Sequence, residues 1–262
     1  MHDHISKMIG IRPKRLFHFI LAYVYLIVIA FVTIQFNLSL YASTFLYMLL
    51  PACFLGYKLH RERRFLFEAL LFSVPAIITV DLIGHVSKSW DYWRSEIFGF
   101  YLGPYPFIGF FWGFSFWLAV VVFYEYFYDG SAGRKTPPRE RYIAFIASVA
   151  AAIFLLTYTG QVIPFFYLWI IVLAFVLSTI LIIKYRYNFW KSYLPVLGLL
   201  PASLLYEYIS LRAGHWIFDQ SANIVHLNYF GYSLPIEEIL WFLIIQHYII
   251  LFHETFADNQ KM

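Results

Sequence analysis

The chain has 262 residues, 61% of them hydrophobic and 23% aromatic, with only 13% charged and a formal net charge of +4. A soluble domain of this length is closer to half apolar and a quarter charged, so the composition excludes a water-soluble globular fold. The basic residues lie between apolar runs and form no basic face, which argues against nucleic acid as a partner.

The chain starts with a basic stretch (Lys7, Arg12, Lys14, Arg15) ahead of its first apolar run. That run is too long for a signal peptide and has no A-x-A-like cleavage site, so it reads as a retained first helix. Apolar runs of about 20 residues, enough to cross a hydrocarbon core, predict eight spans. They fall at about 16–36, 40–57, 65–86, 107–128, 143–162, 164–183, 192–212 and 235–255, with ends uncertain by ~2–4 residues. The linker D-G-S-A-G-R-K-T-P-P-R-E-R, Asp129 to Arg141, divides the chain in two. With eight spans, 16 of the 19 Lys and Arg fall on one side of the membrane. Only Lys88, Arg94 and Arg212 fall on the other, which predicts a multi-pass cell-membrane protein with both termini cytoplasmic.

The two halves read as repeats. At an offset of 126 residues, Lys58 meets Lys184, Pro75-Ala76 meets Pro201-Ala202, Asp81 meets Glu207 and Trp90 meets Trp216. After a three-residue insertion, at 129, Pro106 meets Pro235, Trp112 meets Trp241 and Glu125 meets Glu254. An even number of spans per repeat makes the repeats parallel, about an axis along the membrane normal. The predicted fold is therefore all-α: a polytopic membrane helix bundle of about eight transmembrane helices in two parallel four-helix repeats. The first repeat covers 1–128 and the second 142–262, with 129–141 as a cytoplasmic linker. Where the second repeat has P-I-E-E, the first has Pro106-Phe107-Ile108-Gly109, so the acidic pair stands in one half alone.

The chemistry concentrates between Trp190 and Glu254. Glu207, Glu237 and Glu238 interrupt or edge apolar spans, where an ionisable residue is expensive and marks a candidate site. Pro235 suits the first turn of a helix, and acids just after it are favoured by the helix dipole. Glu237 and Glu238 point about 100° apart on a helix, so they are expected to do different jobs: one faces Glu207, the other is bound by a neighbouring helix. Carboxylates crowded in a low dielectric cannot all ionise, so one is expected to stay protonated and able to act as a general acid. Trp216, Phe218, Tyr206, Tyr208, Trp241 and Phe242 lie at or near the same membrane level, and aromatic faces stabilise nearby positive charge. An acid in an aromatic cage, with no evident nucleophile or nucleotide loop, suits carbocation chemistry. Cys53 is the one cysteine, which excludes a cysteine-based metal cluster and an internal disulfide, and His2 and His4 are too isolated for a metal site.

The order W-K-x-x-x-P, then Pro201, the acid Glu207, Trp216 nine residues on, Phe218, and finally L-P-I-E-E resembles the integral-membrane lycopene cyclase domain. The resemblance is sharp over about 184–256 and weaker but collinear over 58–128. It implies redox-neutral cyclisation of the ends of a linear carotene to β-ionone rings, a hydrophobic polyene as substrate and the bilayer as surroundings. Carried over by position, the motif acids are Glu207, Glu237 and Glu238. In the first half only Asp81 and Trp90 remain, and the P-x-E-E acids are missing.

The expected catalytic residues are thus Glu237, Glu238 and Glu207. The expected substrate-binding residues are Trp216, Phe218, Trp241, Asp81, Trp90 and His215, the last as a hydrogen-bond partner. One of Glu237 and Glu238 is expected to donate the proton. No metal or cofactor is expected, with a reduced flavin left open, as are homo-oligomers and association with other carotenoid enzymes. The alternatives are a carotenoid or isoprenoid hydratase on the same scaffold, and a non-catalytic membrane subunit or carrier. The tryptophans also fit an aromatic belt, Glu125 and Glu254 read as interfacial, and Gln246 and His247 as bridges between helices.

Overall fold

The computed structural model describes residues 15–60, 62–92, 101–102, 105–129, 146, 150 and 162–257. The fifth expected span, 143–162, and the linker after Asp129 fall almost entirely outside these residues. α1 covers Leu16–Phe36 and α2 covers Leu40–Leu59, with a π-helical turn at Phe45–Leu49. α3 runs over 62–86 through a π-helical turn at Ala69–Ser73, and α4 covers Phe107–Phe123. α5 is Phe166–Tyr185, α6 is Phe189–Ala213 and α7 is Ile236–Phe252. Six helices among the described residues are long and apolar enough to cross a membrane. Their outward faces agree: Phe17, Ile20, Val24, Ile27 and Phe31 on α1, and Val172, Phe175, Val176 and Ile183 on α5, are exposed. A contiguous apolar surface of this kind is stable against lipid and not against water.

The helix ends follow from local sequence. Asn37 ends α1 in the left-handed region (φ 46), a conformation asparagine tolerates well, and the Ser39 side chain then caps α2 by accepting the Ala42 N–H. Lys58 and Lys184 lie in the last turns of α2 and α5, complementing the helix dipole. Pro106 and Pro235 stand in extended backbone immediately before α4 and α7, so their missing N–H groups leave no gap in either helix.

Several bounds repeat at the offsets seen in the sequence. α2 and α5 begin and end 126 residues apart, and their left-handed caps, His60 (φ 55) and Arg186 (φ 54), stand at the same spacing. α4 and α7 match at 129 residues, and each continues into a π-helical turn, Tyr124–Tyr128 and His253–Ala257.

α7 packs along α5 and α6, α3 and α2 along α4, and α6 also along α1, while α4 meets α7 at the centre. That centre is dry and aliphatic: Val120, Val121 and Val122 on α4, with Ile249, Ile250 and Leu251 on α7, are almost completely buried.

Short strands close one end of the bundle. β1 (Asp91–Tyr92) pairs antiparallel with β4 (Trp216–Ile217), setting Asp91 opposite Ile217 and Tyr92 opposite Trp216. β2 (Tyr101–Leu102) pairs with β3 (Tyr105–Pro106) just before α4. β5 (His226–Tyr229) and β6 (Tyr232–Pro235) form a hairpin before α7. Its two-residue turn places Phe230 (φ 49) and Gly231 (φ 88) both in the left-handed region, the requirement of a type I′ turn.

Candidate active site

The site is built at the bundle end that carries the strands. Glu207 lies near the end of α6, six residues before Ala213 finishes that helix, and is completely buried. Two residues past Gly214, whose left-handed φ of 70 turns the chain, Trp216 comes back over the helix end. Its indole N–H donates to Glu207 Oε1 at 2.9 Å. The acid-to-tryptophan spacing of nine residues thus has a local geometric meaning: a helix end, a tight turn and a returning donor.

Glu238, in the first turn of α7, is buried beside Glu207, close enough for the two carboxyls to interact electrostatically and as hydrogen-bonding groups. The approach is not a well-directed bond, and Glu207 Oε2 has no aligned partner. The other side of Glu238 is held by Tyr167, in the first turn of α5, whose phenol donates to Glu238 Oε2. Tyr167 is itself packed edge-on against Trp90 and Trp241, at ring-centroid distances of 5.0 and 5.6 Å. Trp216 stands edge-on to Trp112 at 5.9 Å and against Tyr206 at 5.8 Å. The carboxyl pair is therefore surrounded by ring faces and edges. None of Glu207, Glu237 and Glu238 forms an ion pair with a cation among the described residues.

Glu237 takes a separate position. Buried next to its neighbour, it accepts the backbone N–H of Ile224 at 2.6 Å through Oε1, while Oε2 has no partner. It pins a loop that is ordered within itself. Asp219 accepts from the N–H and hydroxyl of Ser221, which hold its carboxyl below the usual range, and Asn223 ties the loop to the Ser89 carbonyl at 3.2 Å. The hairpin beyond is fastened to α6 by Tyr229, which donates to the Leu204 carbonyl at 3.1 Å. Burial, with Glu207 adding to it, pushes the Tyr229 phenol up.

The first half carries a reduced version of this geometry. Trp90 donates to Asp81 Oδ1 at 2.7 Å, across the same nine-residue spacing, and Tyr92 donates to the same oxygen at 2.7 Å. Tyr41 stands 126 residues before Tyr167, but Ile108 and Gly109 occupy the places of Glu237 and Glu238.

The structure thus groups Glu207, Glu238, Trp216 and Trp241 around one carboxyl pair. Trp90 reaches the group from the first half through Tyr167, while Asp81 belongs to the separate, parallel arrangement. Phe218 is half-buried against the general core. His215 pairs through Nε2 with the Leu38 carbonyl at 2.9 Å, in the turn between α1 and α2. It follows Gly214 directly, and its backbone N–H bonds the Ser210 carbonyl, so it completes the helix end while Trp216 turns back to the acid.

Tyr167 is the site residue that motif reading missed. The sequence contained the signal, since tyrosines stand at both 41 and 167, 126 residues apart and each one residue into its helix.

At the opposite end of the bundle Glu125 and Glu254, read from the sequence as interfacial, are buried within the protein. Tyr124 donates to Glu254, and His253 Nε2 meets Glu125 Oε1 at 2.8 Å while its Nδ1 meets Glu68 at 2.8 Å. Each acid is paired with a side chain from the other central helix, and such partners make burial of a carboxyl tolerable. Gln246 and His247 do bridge helices, to Ser203 at 2.6 Å and Ser192 at 2.9 Å.

Comparison with protein-family models, with characterised proteins and with solved structures gives no match for this chain.

Proposed function

We propose that the chain is a membrane-embedded, redox-neutral cyclase of polyene end groups, acting on a carotenoid of the lycopene type. The observation that carries this reading is the buried Glu207–Glu238 pair, close-set, without a cation and walled by aromatic rings. Two carboxyls so placed cannot both be ionised, and the proton they share is available to a substrate that reaches the dry side of the pair.

In this mechanism the pair protonates the terminal double bond of the polyene, forming a tertiary carbocation. The next suitably placed double bond attacks that cation and closes the ring, moving the charge onto the ring. The ring then loses a proton to the carboxylate that gave the first one up. Protons gained and lost balance, no electrons are exchanged, and no cofactor is needed. Tyr167 and Trp216 hold the two carboxyls apart from solvent and in register. The ring faces of the site favour the cation over its neutral precursor. Glu237 has a positioning role, fixing the loop over the site through Ile224.

The same reading includes eight spans in two parallel four-helix repeats, 1–128 and 142–262, joined by the cytoplasmic linker 129–141, with both termini cytoplasmic. The matched bounds of α2 with α5 and of α4 with α7 support it. So does the β1–β4 ladder, which sets Asp91 opposite Ile217, residues 126 apart, as a two-fold relation between the halves requires.

The test is pigment analysis of lycopene-accumulating cells with and without the chain. Cyclic carotenes that disappear in Glu238→Gln and Glu207→Gln, with the protein still in the membrane, are the expected result. A hydroxylated acyclic product would move the reading to a hydratase. Unchanged lycopene despite good membrane expression would sink the stand-alone lycopene cyclase.

A further inference from the structure

A cavity of about 80 Å³ lies between α1, α2, α4, α6 and α7 and opens at the molecular surface. Its wall is hydrocarbon and ring, with Leu26, Met48, Leu55, Phe116 and Val120 among the lining residues. The polar groups that reach it are almost all engaged. Tyr23 donates to the Gly198 carbonyl, Tyr47 to the Ala202 carbonyl at 2.9 Å, and Tyr206 pairs with Thr44 at 2.8 Å.

Gln246 is the exception. It is fully buried at this wall, and its Nε2 donates to Ser203 Oγ at 2.6 Å. The Ser203 hydroxyl proton is already directed at the Leu199 carbonyl, 3.3 Å away. With the Ser203 hydroxyl directed there and accepting from the amide, Oε1 is the end of Gln246 left over. Oε1 has no partner. A buried acceptor without a donor is destabilising, so a ligand that brings one donor gains directly from it.

We propose that this cavity binds an apolar molecule carrying one hydroxyl, whose O–H donates to Gln246 Oε1. Water is a poor occupant, because a buried water needs two to four polar partners and this wall is almost wholly apolar. An ionised headgroup is a worse one, because no counter-charge lines the cavity. The enclosed space takes the hydroxyl end of a chain, and the remaining hydrocarbon leaves through the opening towards the lipid. This site does not rest on the cyclase reading. Tyr206 and Trp216 stand between it and Glu207.

The full chain in lipid nanodiscs is labelled with a hexadecanol that carries a photoreactive diazirine beside its hydroxyl. Labelling is then competed with unlabelled hexadecanol or with hexadecane. The expected result is labelling of peptides that contain Met48, Ser203 or Gln246, with the alcohol competing at about tenfold lower concentration than the hydrocarbon. Gln246→Leu should erase that tenfold preference. Ala52→Phe, which fills the cavity from α2, should remove the labelling in protein that still elutes as a single species. Equal competition by alcohol and hydrocarbon in the unaltered chain would overturn the proposal. So would labelling spread over the lipid-facing surfaces of α1 and α5, or labelling that survives Ala52→Phe. The competition result and Ala52→Phe decide the matter even where Gln246→Leu does not fold.

Discussion

The phenol of Tyr167 donates to Glu238 across the gap between α5 and α7, from one first turn to another. One element thereby orients the acid that another supplies, and the orientation survives only while the two helix starts stay level. Tyr167→Phe removes the donor with almost no change in volume. Turnover of the polyene is expected to fall roughly a hundred- to thousandfold, the scale for one lost donor at a reacting group. Tyr41→Phe is the control, since its half has Gly109 where Glu238 would stand, and it should leave the rate unchanged. Rate measurements on membranes with matched protein content separate the two, and equal losses would refute a role for Tyr167 in the chemistry.

Trp216→Phe tests the other carboxyl. It deletes the N–H that reaches Glu207 while keeping a ring between Trp112 and Tyr206. Glu207 already has one oxygen without an aligned partner, so the variant leaves the acid with almost none. Folding is expected to weaken by about 1–3 kcal/mol, the scale for a buried polar group stripped of its bond. Thermal unfolding in detergent reads that loss. Glu207→Gln in the same background should recover part of it, because a neutral amide is cheaper to bury than a carboxyl.

Gly84→Ala tests the first-half arrangement, which carries the same acid–tryptophan bond without the glutamate pair. A Cβ at Gly84 would stand 2.1 Å from the Trp90 indole, so the ring has to move. Trp90 is tied at its N–H to Asp81 and packed on Tyr167, so its movement disturbs both halves. The expected cost is ~1–3 kcal/mol, as for overpacking elsewhere, accompanied by reduced turnover. Unaltered stability and rate would mean that Trp90 is only a belt residue.

Much of this arrangement was legible in the chain. Apolar run length located the six helices long enough to span, because a run of about 20 apolar residues satisfies its backbone in lipid as a helix. The recurrence of Pro, Trp and acid at fixed offsets located the matched helix starts, since those residues are the ones whose chemistry the position constrains. Pairing was what sequence did not show. Glu125 and Glu254 sit at the ends of their spans, and a one-dimensional reading sees only that end. Their burial depends on Tyr124 and His253 arriving from the opposite helix. The partner of His215 was hidden for a related reason. Adjacent to Trp216 in sequence, His215 turns to the Leu38 carbonyl while its neighbour turns to Glu207, because consecutive side chains leave the chain on different sides.

The His253 cluster supplies the sharpest stability prediction. Both ring nitrogens face carboxylates, Glu68 on one side and Glu125 on the other, at a place with no water-exposed surface. His253→Leu leaves those two acids buried without their shared partner, a change expected to cost ~3–5 kcal/mol. The readout is the fraction of folded, monodisperse protein recovered from membranes, which should fall sharply. Adding Glu68→Leu and Glu125→Leu to the same chain should restore most of it, since apolar groups of similar volume often replace a buried ionic cluster at little cost. An interfacial, solvated cluster behaves differently: the single substitution would be nearly neutral, and the triple one would place new apolar surface in water. Recovery in the triple variant after loss in the single one thus distinguishes burial from exposure without any measurement of activity.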